Sequence, residues 1–109
     1  MTDCLFCKIA AGEIPADKVY EDDDVFAFKD INPKAPTHVL VIPKTHVPTL
    51  TDANDPALLG MLMSRVQRIA DEVLSLDAGY RVITNVREGG GQLVFHLHVH
   101  ILGGKKLPF

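Results

Sequence analysis

Short segments of alternating apolar and polar residues predict a small antiparallel sheet. Two such segments flank the acidic turn Asp22–Asp24, an arrangement that is typical of a hairpin. The continuous apolar run Val39–Ile42 favours a central strand that is covered on both faces. We expect five strands, over Val19–Glu21, Val25–Lys29, Thr37–Ile42, Tyr80–Asn85 and Val94–Leu102.

Two helices are expected, one short and one long. The segment Leu5–Ala11 has a helical composition and stops at Gly12, a residue that suits a helix C-terminus. The pair Asp55–Pro56 is a good helix start, and apolar residues then recur at helical spacing to about Leu76. This helix is apolar around much of its girth and needs burial on two sides, either deep in the sheet or, as we favour, at a dimer interface. These elements predict an α+β fold in a single domain, residues 1–109.

The composition of the chain limits the cellular compartments and the classes of binding partner that we expect for it. Of its 109 residues 47% are hydrophobic, and no apolar run approaches the ~20 residues that a membrane helix needs. The first residues lack the basic-then-apolar order of a secretory signal, so we expect a cytoplasmic protein without a membrane partner. The net charge of −3, without a basic block, argues against nucleic acid as a partner and leaves a small anionic ligand open.

Three of the histidines, His96, His98 and His100, alternate with apolar residues. Because a strand has a period of two, these histidines are expected on one face, ~6–7 Å apart, while the apolar residues between them reach the core. The apolar positions are Phe95, Leu97, Val99 and Ile101. Three interpretations are open: hydrogen-bonded histidines on a half-exposed strand, a zinc site made by all three, and phosphoryl or nucleotidyl chemistry, which we favour.

Imidazole suits phosphate chemistry, because its reference pKa of ~6.5 allows both protonation states near neutrality. A neutral histidine can attack phosphorus, and a protonated neighbour can neutralise phosphate oxygens or protonate the leaving group. The loop Gly89–Gly91 can turn main-chain N–H groups towards an anion, and Gln92 beside it offers an amide donor. Asn85 ends a strand that we expect to pair with the histidine strand, so its amide is a further candidate.

The segment His96–Leu102 matches the pattern His-φ-His-φ-His-φ-φ, where φ is apolar, and the chain resembles the histidine triad (HIT) family over nearly its whole length. The likeness is to the Hint branch, the members that resemble purine nucleoside phosphoramidases. Supporting blocks are Ile14-Pro15, Val19–Asp23, Ala27–Pro33, Ala35–His38, Val41–Lys44, Gly90–Gln92 and Gly103-Gly104. The resemblance implies a HIT-like fold, a homodimer whose sheets join into one, and a purine nucleotide as partner.

The resemblance also implies an activity and a set of roles. The chain would be a nucleotide hydrolase or nucleotidyl transferase that acts on nucleoside phosphoramidates or similar nucleotides; the alternatives are a dinucleoside polyphosphate hydrolase and a non-catalytic nucleotide-binding scaffold. His98 would attack the α-phosphorus and form a nucleotidyl intermediate that water releases. His100 would handle the phosphate and the leaving group, and His38 would support the ring of the nucleophile.

The same resemblance supplies the binding residues. Asp30 would accept hydrogen bonds from the ribose hydroxyls. Phosphate oxygens would be held by Asn85, Gly91 and Gln92. The base slot would be formed by Leu5, Phe6, Ile9, Ile14, Phe28 and Ile31, which without the family are simply core residues. Two departures stand out: Leu93 occupies a position where Hint-like members usually carry a small hydroxyl residue, and the tail after Gly104 is short.

Cys4 and Cys7 form a Cys-x2-Cys pair, a common half of a zinc site, for which His46 and His96 are candidate partners. A redox pair and two unrelated thiols are the alternatives. A related branch of the family and the galactose-1-phosphate uridylyltransferases combine such a pair with two histidines at matching positions. The resemblance therefore implies a closed structural zinc site that clamps the N-terminal segment against the histidine strand.

Overall fold

The computed structural model describes residues 3–109, and its strands form one antiparallel sheet. The strands are β1 (Lys18–Glu21), β2 (Val25–Lys29), β3 (Thr37–Pro43), β4 (Arg81–Ile83) and β5 (Val99–Gly103). They lie side by side in the order β1-β2-β3-β5-β4, and every neighbouring pair is antiparallel. The apolar strand β3 is central, as its composition predicted, and the α+β fold with a five-stranded antiparallel sheet is confirmed.

Two α-helices, α1 (Leu5–Ala10) and α2 (Pro56–Arg68), accompany the sheet. Asp55 caps α2, because its Oδ1 atom accepts a hydrogen bond from the amide of Ala57 at 3.0 Å. The expected continuation of the helix to Leu76 is wrong in detail, since the chain widens into a π-helical turn over Ile69–Val73. Within the described residues, none of the helices has the length and apolarity needed to cross a bilayer.

Successive side chains of β3 lie on opposite faces of the sheet and pack into two different apolar layers. Val39 and Val41 pack on the face covered by α2, where Leu62 and Val66 are buried. Leu40 and Ile42 pack on the opposite face, against the apolar side of α1. The apolar side of α1 consists of Phe6 and Ile9. The sheet is therefore covered on both faces, and the short helix lies on the face that carries the site described below.

The histidine strand is shorter than its alternation predicted. Residues 94–98 are irregular and β5 begins at Val99, because the amide of Leu97 donates to the carbonyl of Val47 at 2.6 Å outside any strand pairing. Leu97 is still buried in the core, whereas Phe95 remains 46% exposed, contrary to the expectation that it reaches the core. β4 is also shorter than expected: its pairing with β5 ends at the Ile83–His100 pair, and the hydroxyl of Thr84 donates to the carbonyl of His98 at 2.8 Å.

Candidate active site

A cavity of about 490 Å³ opens on the face of the sheet that carries α1. Its volume lies in the range of about 300–1,000 Å³ that small-molecule sites occupy, and its walls are apolar apart from a few converging polar groups. The lining residues are Leu5, Phe6, Ile9, Phe28, Asp30, Ile31, Asn32, Lys34, His38, Leu40, Ile83, Asn85, Gly91, Leu93, Val94, His98, His100 and Leu102.

The buried ring of His98 is oriented by the main chain. Its Nδ1 atom lies 2.7 Å from the carbonyl oxygen of His96, and because a carbonyl can only accept, Nδ1 carries the proton. The lone pair of the neutral ring is therefore on Nε2. Burial lowers the pKa of His98, against the opposing effects of this hydrogen bond and of the Asp30 carboxylate, so the neutral form is favoured.

His38 and His100 form a directed hydrogen-bond chain. The amide of Lys34 donates to Nδ1 of His38 at 3.0 Å, so the proton of a neutral His38 ring is on Nε2. That Nε2 lies 2.9 Å from Nδ1 of His100 and donates to it. The proton of a neutral His100 ring is consequently on its own Nε2.

Nε2 of His100 is the buried side-chain nitrogen or oxygen that lacks a hydrogen-bond partner within residues 3–109. Since His100 lines the cavity, this N–H group is available to an acceptor on a ligand. Burial, followed by repulsion from His98 and His38 when these are charged, lowers the pKa of His100 to about 4. The cavity thus holds a histidine with a free lone pair beside a histidine with a free N–H group, their ring centroids 5.1 Å apart.

In the glycine loop before the histidines, most main-chain amides donate hydrogen bonds to carbonyls of the same loop. The amides of Gly90 and Gln92 donate to the carbonyl of Arg87, and the amide of Gly91 donates to the carbonyl of Glu88. Gly91 adopts φ +85° and lines the cavity together with Leu93, a residue with no main-chain amide partner among residues 3–109. Leu93 therefore keeps an unused main-chain donor in a residue that lines the cavity, whereas the amides of Gly90 and Gly91 are already used within the loop.

Cys4, Cys7, His46 and His96 form a second cluster, with one potential ligand atom from each within 4.8 Å of all the others. Nε2 of His96 donates to the carbonyl of Pro43 at 2.8 Å, which leaves its Nδ1 lone pair facing the sulfur atoms. The distances Cys4 Sγ–His96 Nδ1, Cys7 Sγ–His46 Nδ1 and His46 Nδ1–His96 Nδ1 are all 3.3 Å. Ligand atoms around a tetrahedral zinc ion lie about 3.3–3.8 Å apart, so this group fits zinc.

Comparison with known proteins agrees with the family resemblance that the histidine pattern indicated. The sequence profile of the HIT domain matches residues 11–107. The chain belongs to the HIT family. The purine nucleoside phosphoramidase of Escherichia coli is 46% identical over 105 residues, which cover 94% of this chain and 88% of that protein.

Solved structures agree with this assignment. A histidine triad protein from Clostridium difficile is 52% identical with a TM-score of 0.94, covering 100% of this chain and 96% of its own. A HIT family hydrolase from Legionella pneumophila is 51% identical with a TM-score of 0.91, covering 98% of this chain and 97% of its own. The HIT-like fold that the sequence predicted is therefore confirmed.

In this HIT protein, the cavity brings together most of the residues that the sequence suggested for a nucleotide site. They come from α1, from β2 and β3, from the segments that follow β2 and β4, from the glycine loop and from the histidine segment. They are Leu5, Phe6, Ile9, Phe28, Asp30, Ile31, His38, Asn85, Gly91, His98 and His100. Ile31 is 91% exposed and borders the mouth of the cavity, whereas Phe6 and Phe28 are buried in its wall.

Three of the predicted site residues are placed or bonded differently from the expectation. Gln92 does not line the cavity, because its buried amide is bonded to Arg87, Pro48 and Val94. Ile14 lies outside the cavity, packed at the edge of the cluster around Phe26.

The expected partner of His38 is also different. His38 hydrogen-bonds to His100 rather than to His98, since Nδ1 of His98 is already occupied by the carbonyl of His96.

Lys34 is a site residue that sequence reasoning missed. Lys34 lines the cavity, but its effect on His38 comes from a main-chain N–H group, which every non-proline residue carries. The available signal was its position, four residues before His38 in a turn bounded by Pro33 and Pro36. A side-chain pattern does not mark a main-chain donor, so no role could be assigned to Lys34 from its side chain.

Proposed function

We propose that this HIT protein is a nucleotide hydrolase or nucleotidyl transferase that cleaves at the α-phosphate of a purine nucleotide, such as a nucleoside phosphoramidate, through a nucleotidyl-His98 intermediate. The observation that carries the proposal is the opposite tautomers of two adjacent histidines. His98 offers a lone pair on Nε2, and His100 offers an N–H group on Nε2. The related purine nucleoside phosphoramidase supports the substrate class.

In the proposed reaction, Nε2 of His98 attacks the α-phosphorus while the bond from phosphorus to the leaving amine breaks. The amine departs with the bonding electron pair and needs a proton. A bound phosphate places negative charge beside the His38–His100 pair and favours the uptake of one proton there, which His100 passes to the amine. Water then attacks the nucleotidyl-His98 phosphorus, gives a proton to His100 and releases the nucleoside monophosphate.

The remaining cavity residues fit a purine nucleotide. The aromatic and aliphatic wall formed by Phe6, Ile9 and Phe28 offers a slot for the base. Asp30 accepts a hydrogen bond from the amide of Asn32 at 2.8 Å and keeps further lone pairs for ribose hydroxyls. Asn85 and the amide of Leu93 are the candidate donors to the phosphate.

Replacement of the nucleophile tests the proposal. In His98→Ala, hydrolysis of adenosine 5′-phosphoramidate should fall by about 10³-fold or more, because the N–P bond cannot form. Added imidazole should restore part of the rate by occupying the space of the missing ring. Glu72→Gln, an exposed change outside the cavity, serves as the control. Turnover by His98→Ala at the rate of the unmodified protein would rule the nucleophile out.

We further propose that Cys4, Cys7, His46 and His96 hold a structural zinc ion. With four protein ligands the site would have no open position, so the metal would fix the start of α1 and the ring of His96 without entering the reaction. We expect about one zinc ion per chain by elemental analysis, and loss of that metal with a lower melting temperature in Cys7→Ser. Lys44→Ala, near His46 in the chain but bonded to Glu21, should keep its zinc. Reduced protein that stays metal-free in zinc-replete medium would contradict the proposal.

A further inference from the structure

The side chain of Gln92 joins three separate segments of the protein. It is 2% exposed, and its Oε1 atom accepts from the amide of Arg87 at 2.7 Å. Its Nε2 group donates to the carbonyl of Pro48 at 2.8 Å and to the carbonyl of Val94 at 3.0 Å. One amide therefore ties the start of the glycine loop to the segment after β3 and to the segment that leads into the histidines.

Arg87 is held in a conformation that a side chain rarely adopts. Its φ of 59° and ψ of −175° lie in a region that is essentially restricted to glycine. Its guanidinium group lies 3.9 Å from Asp52 at the surface, an ion pair too exposed to impose a backbone angle. The hydrogen bond from the Arg87 amide to the side chain of Gln92 ties this residue to a buried group.

The conformation of Arg87 in turn fixes the loop that borders the cavity. Its carbonyl accepts from the amides of Gly90 at 3.1 Å and Gln92 at 2.9 Å, which closes the loop into a tight turn. Gly91 and Leu93, on either side of Gln92, are the parts of this turn that line the cavity. A shift of Gln92 would therefore move the main chain at the place where a phosphate would bind.

We propose that Gln92 is a positioning residue for phosphate recognition, which acts through Arg87 and the glycine loop without touching the ligand. This inference rests on the proposed function, since it requires that the cavity bind the phosphate of a nucleotide. Glutamine suits the position because one side chain must present an acceptor and two donors. Methionine has a similar length but neither donor, and asparagine is one methylene too short to reach all three partners.

Binding of AMP and adenosine to the unmodified protein and to Gln92→Met, measured by calorimetry, tests the inference. The two ligands share a base and a ribose and differ by the phosphate. Unmodified protein should bind AMP more tightly than adenosine. In Gln92→Met the affinity for AMP should fall about tenfold, while that for adenosine stays within about twofold, because the base slot lies elsewhere. A role in stability alone would lower both affinities together or neither.

Two further variants serve as a control and as a test of rescue. Thr49→Val removes a hydrogen bond to Asp52 from a residue that is also 2% exposed, next to Pro48, and should leave the ratio of the two affinities unchanged. Arg87→Gly added to Gln92→Met should recover at least about a third of the lost AMP affinity, because glycine adopts the required angles without help. If Gln92→Met is not recovered folded, Gln92→Asn carries the same comparison.

The outcomes separate this inference from the proposed function. Unmodified protein that does not prefer AMP over adenosine would contradict phosphate binding in the cavity, and with it both proposals. A preference for AMP that persists in full in Gln92→Met, or in Gln92→Asn when that variant is used, would overturn the role of Gln92 and leave the proposed function standing.

Discussion

At the scale of single residues, the site depends on which nitrogen of each histidine carries a proton, and main-chain groups decide this. Carbonyls bind Nε2 of His96 and Nδ1 of His98, and an amide binds Nδ1 of His38. Alternation in the sequence predicted that His98 and His100 share a cavity. It could not predict their tautomers, because the deciding partners are main-chain groups, such as the amide of Lys34, or lie far away in the chain, as His38 does from His100.

The role of His38 leads to a prediction at this scale. In His38→Phe, Nδ1 of His100 loses its donor, so the orientation and the proton supply of His100 should suffer. Hydrolysis of adenosine phosphoramidate, whose amine needs a proton, should slow by about 10²-fold. An adenylyl p-nitrophenyl ester, whose leaving group needs no proton, should lose much less.

The control for this prediction is His38→Gln. A glutamine can accept from the amide of Lys34 and donate to His100, so it should retain more activity on the phosphoramidate than phenylalanine does. Equal losses on both substrates in His38→Phe would contradict a role in proton supply.

At the scale of elements, the alternating histidines of one segment are divided between two different sites. His100 lies in β5, whereas His96 precedes the strand and joins Cys4 and Cys7 beside α1. The period of two predicted one row of three histidines on a regular strand. The irregular segment arises from a hydrogen bond to Val47, a contact with a distant loop that no local pattern encodes.

For the helices, too, only the features that depend on local sequence could be predicted. The cap at Asp55 and the end of α1 before Gly12 could be predicted, because capping is a local property of the chain. The π-helical turn over Ile69–Val73 could not be predicted, since the helical spacing of apolar residues continues through it without a break. Its first residue, Ile69, is fully buried against the sheet.

An ion pair between α2 and the first hairpin gives a prediction for acid stability. Burial would raise the pKa of Asp22, but hydrogen bonds from Arg65 and Tyr20, both at 2.7 Å, and from two amides hold it well below its usual value. The folded pKa is lower than the unfolded one of ~3.9, so the stabilisation is present above that value and is lost as the pH falls towards the folded pKa.

Asp22→Asn should therefore lower the melting temperature near pH 7 and flatten its decline between about pH 5 and pH 2. Asp23→Asn, an exposed change in the same turn, is the matched control and should follow the unmodified protein. Melting temperatures measured across this range would contradict the account if Asp22→Asn declined as steeply as the unmodified protein.

At the scale of the whole molecule, the two edges of the sheet differ. The outer strand β1 carries an ion pair between Lys18 and Glu21, which discourages pairing with another chain. The outer strand β4 exposes 39% of Val82, and Phe95 is also half-exposed. If the expected homodimer with joined sheets forms, this contrast favours β4 as the edge at which the sheets meet; the dimer and the cytoplasmic location stay predictions.

Val82→Lys should accordingly shift the protein from dimer to monomer, because it places a charge on the apolar edge. Lys18→Ala, on the opposite edge, should not change the assembly. Sedimentation equilibrium at micromolar concentration distinguishes the two states. A dimer that is unaffected by Val82→Lys would place the interface elsewhere on the surface.

The central claim is that an imidazole displaces the leaving group before water does, and the stereochemistry at phosphorus tests it most directly. A phosphorothioate analogue of adenosine phosphoramidate with one configuration at phosphorus would be hydrolysed in heavy-oxygen water, and the configuration of the product determined. Two successive displacements through His98 predict net retention. Inversion at phosphorus would mean that water attacks the substrate directly and would contradict the nucleotidyl-His98 intermediate.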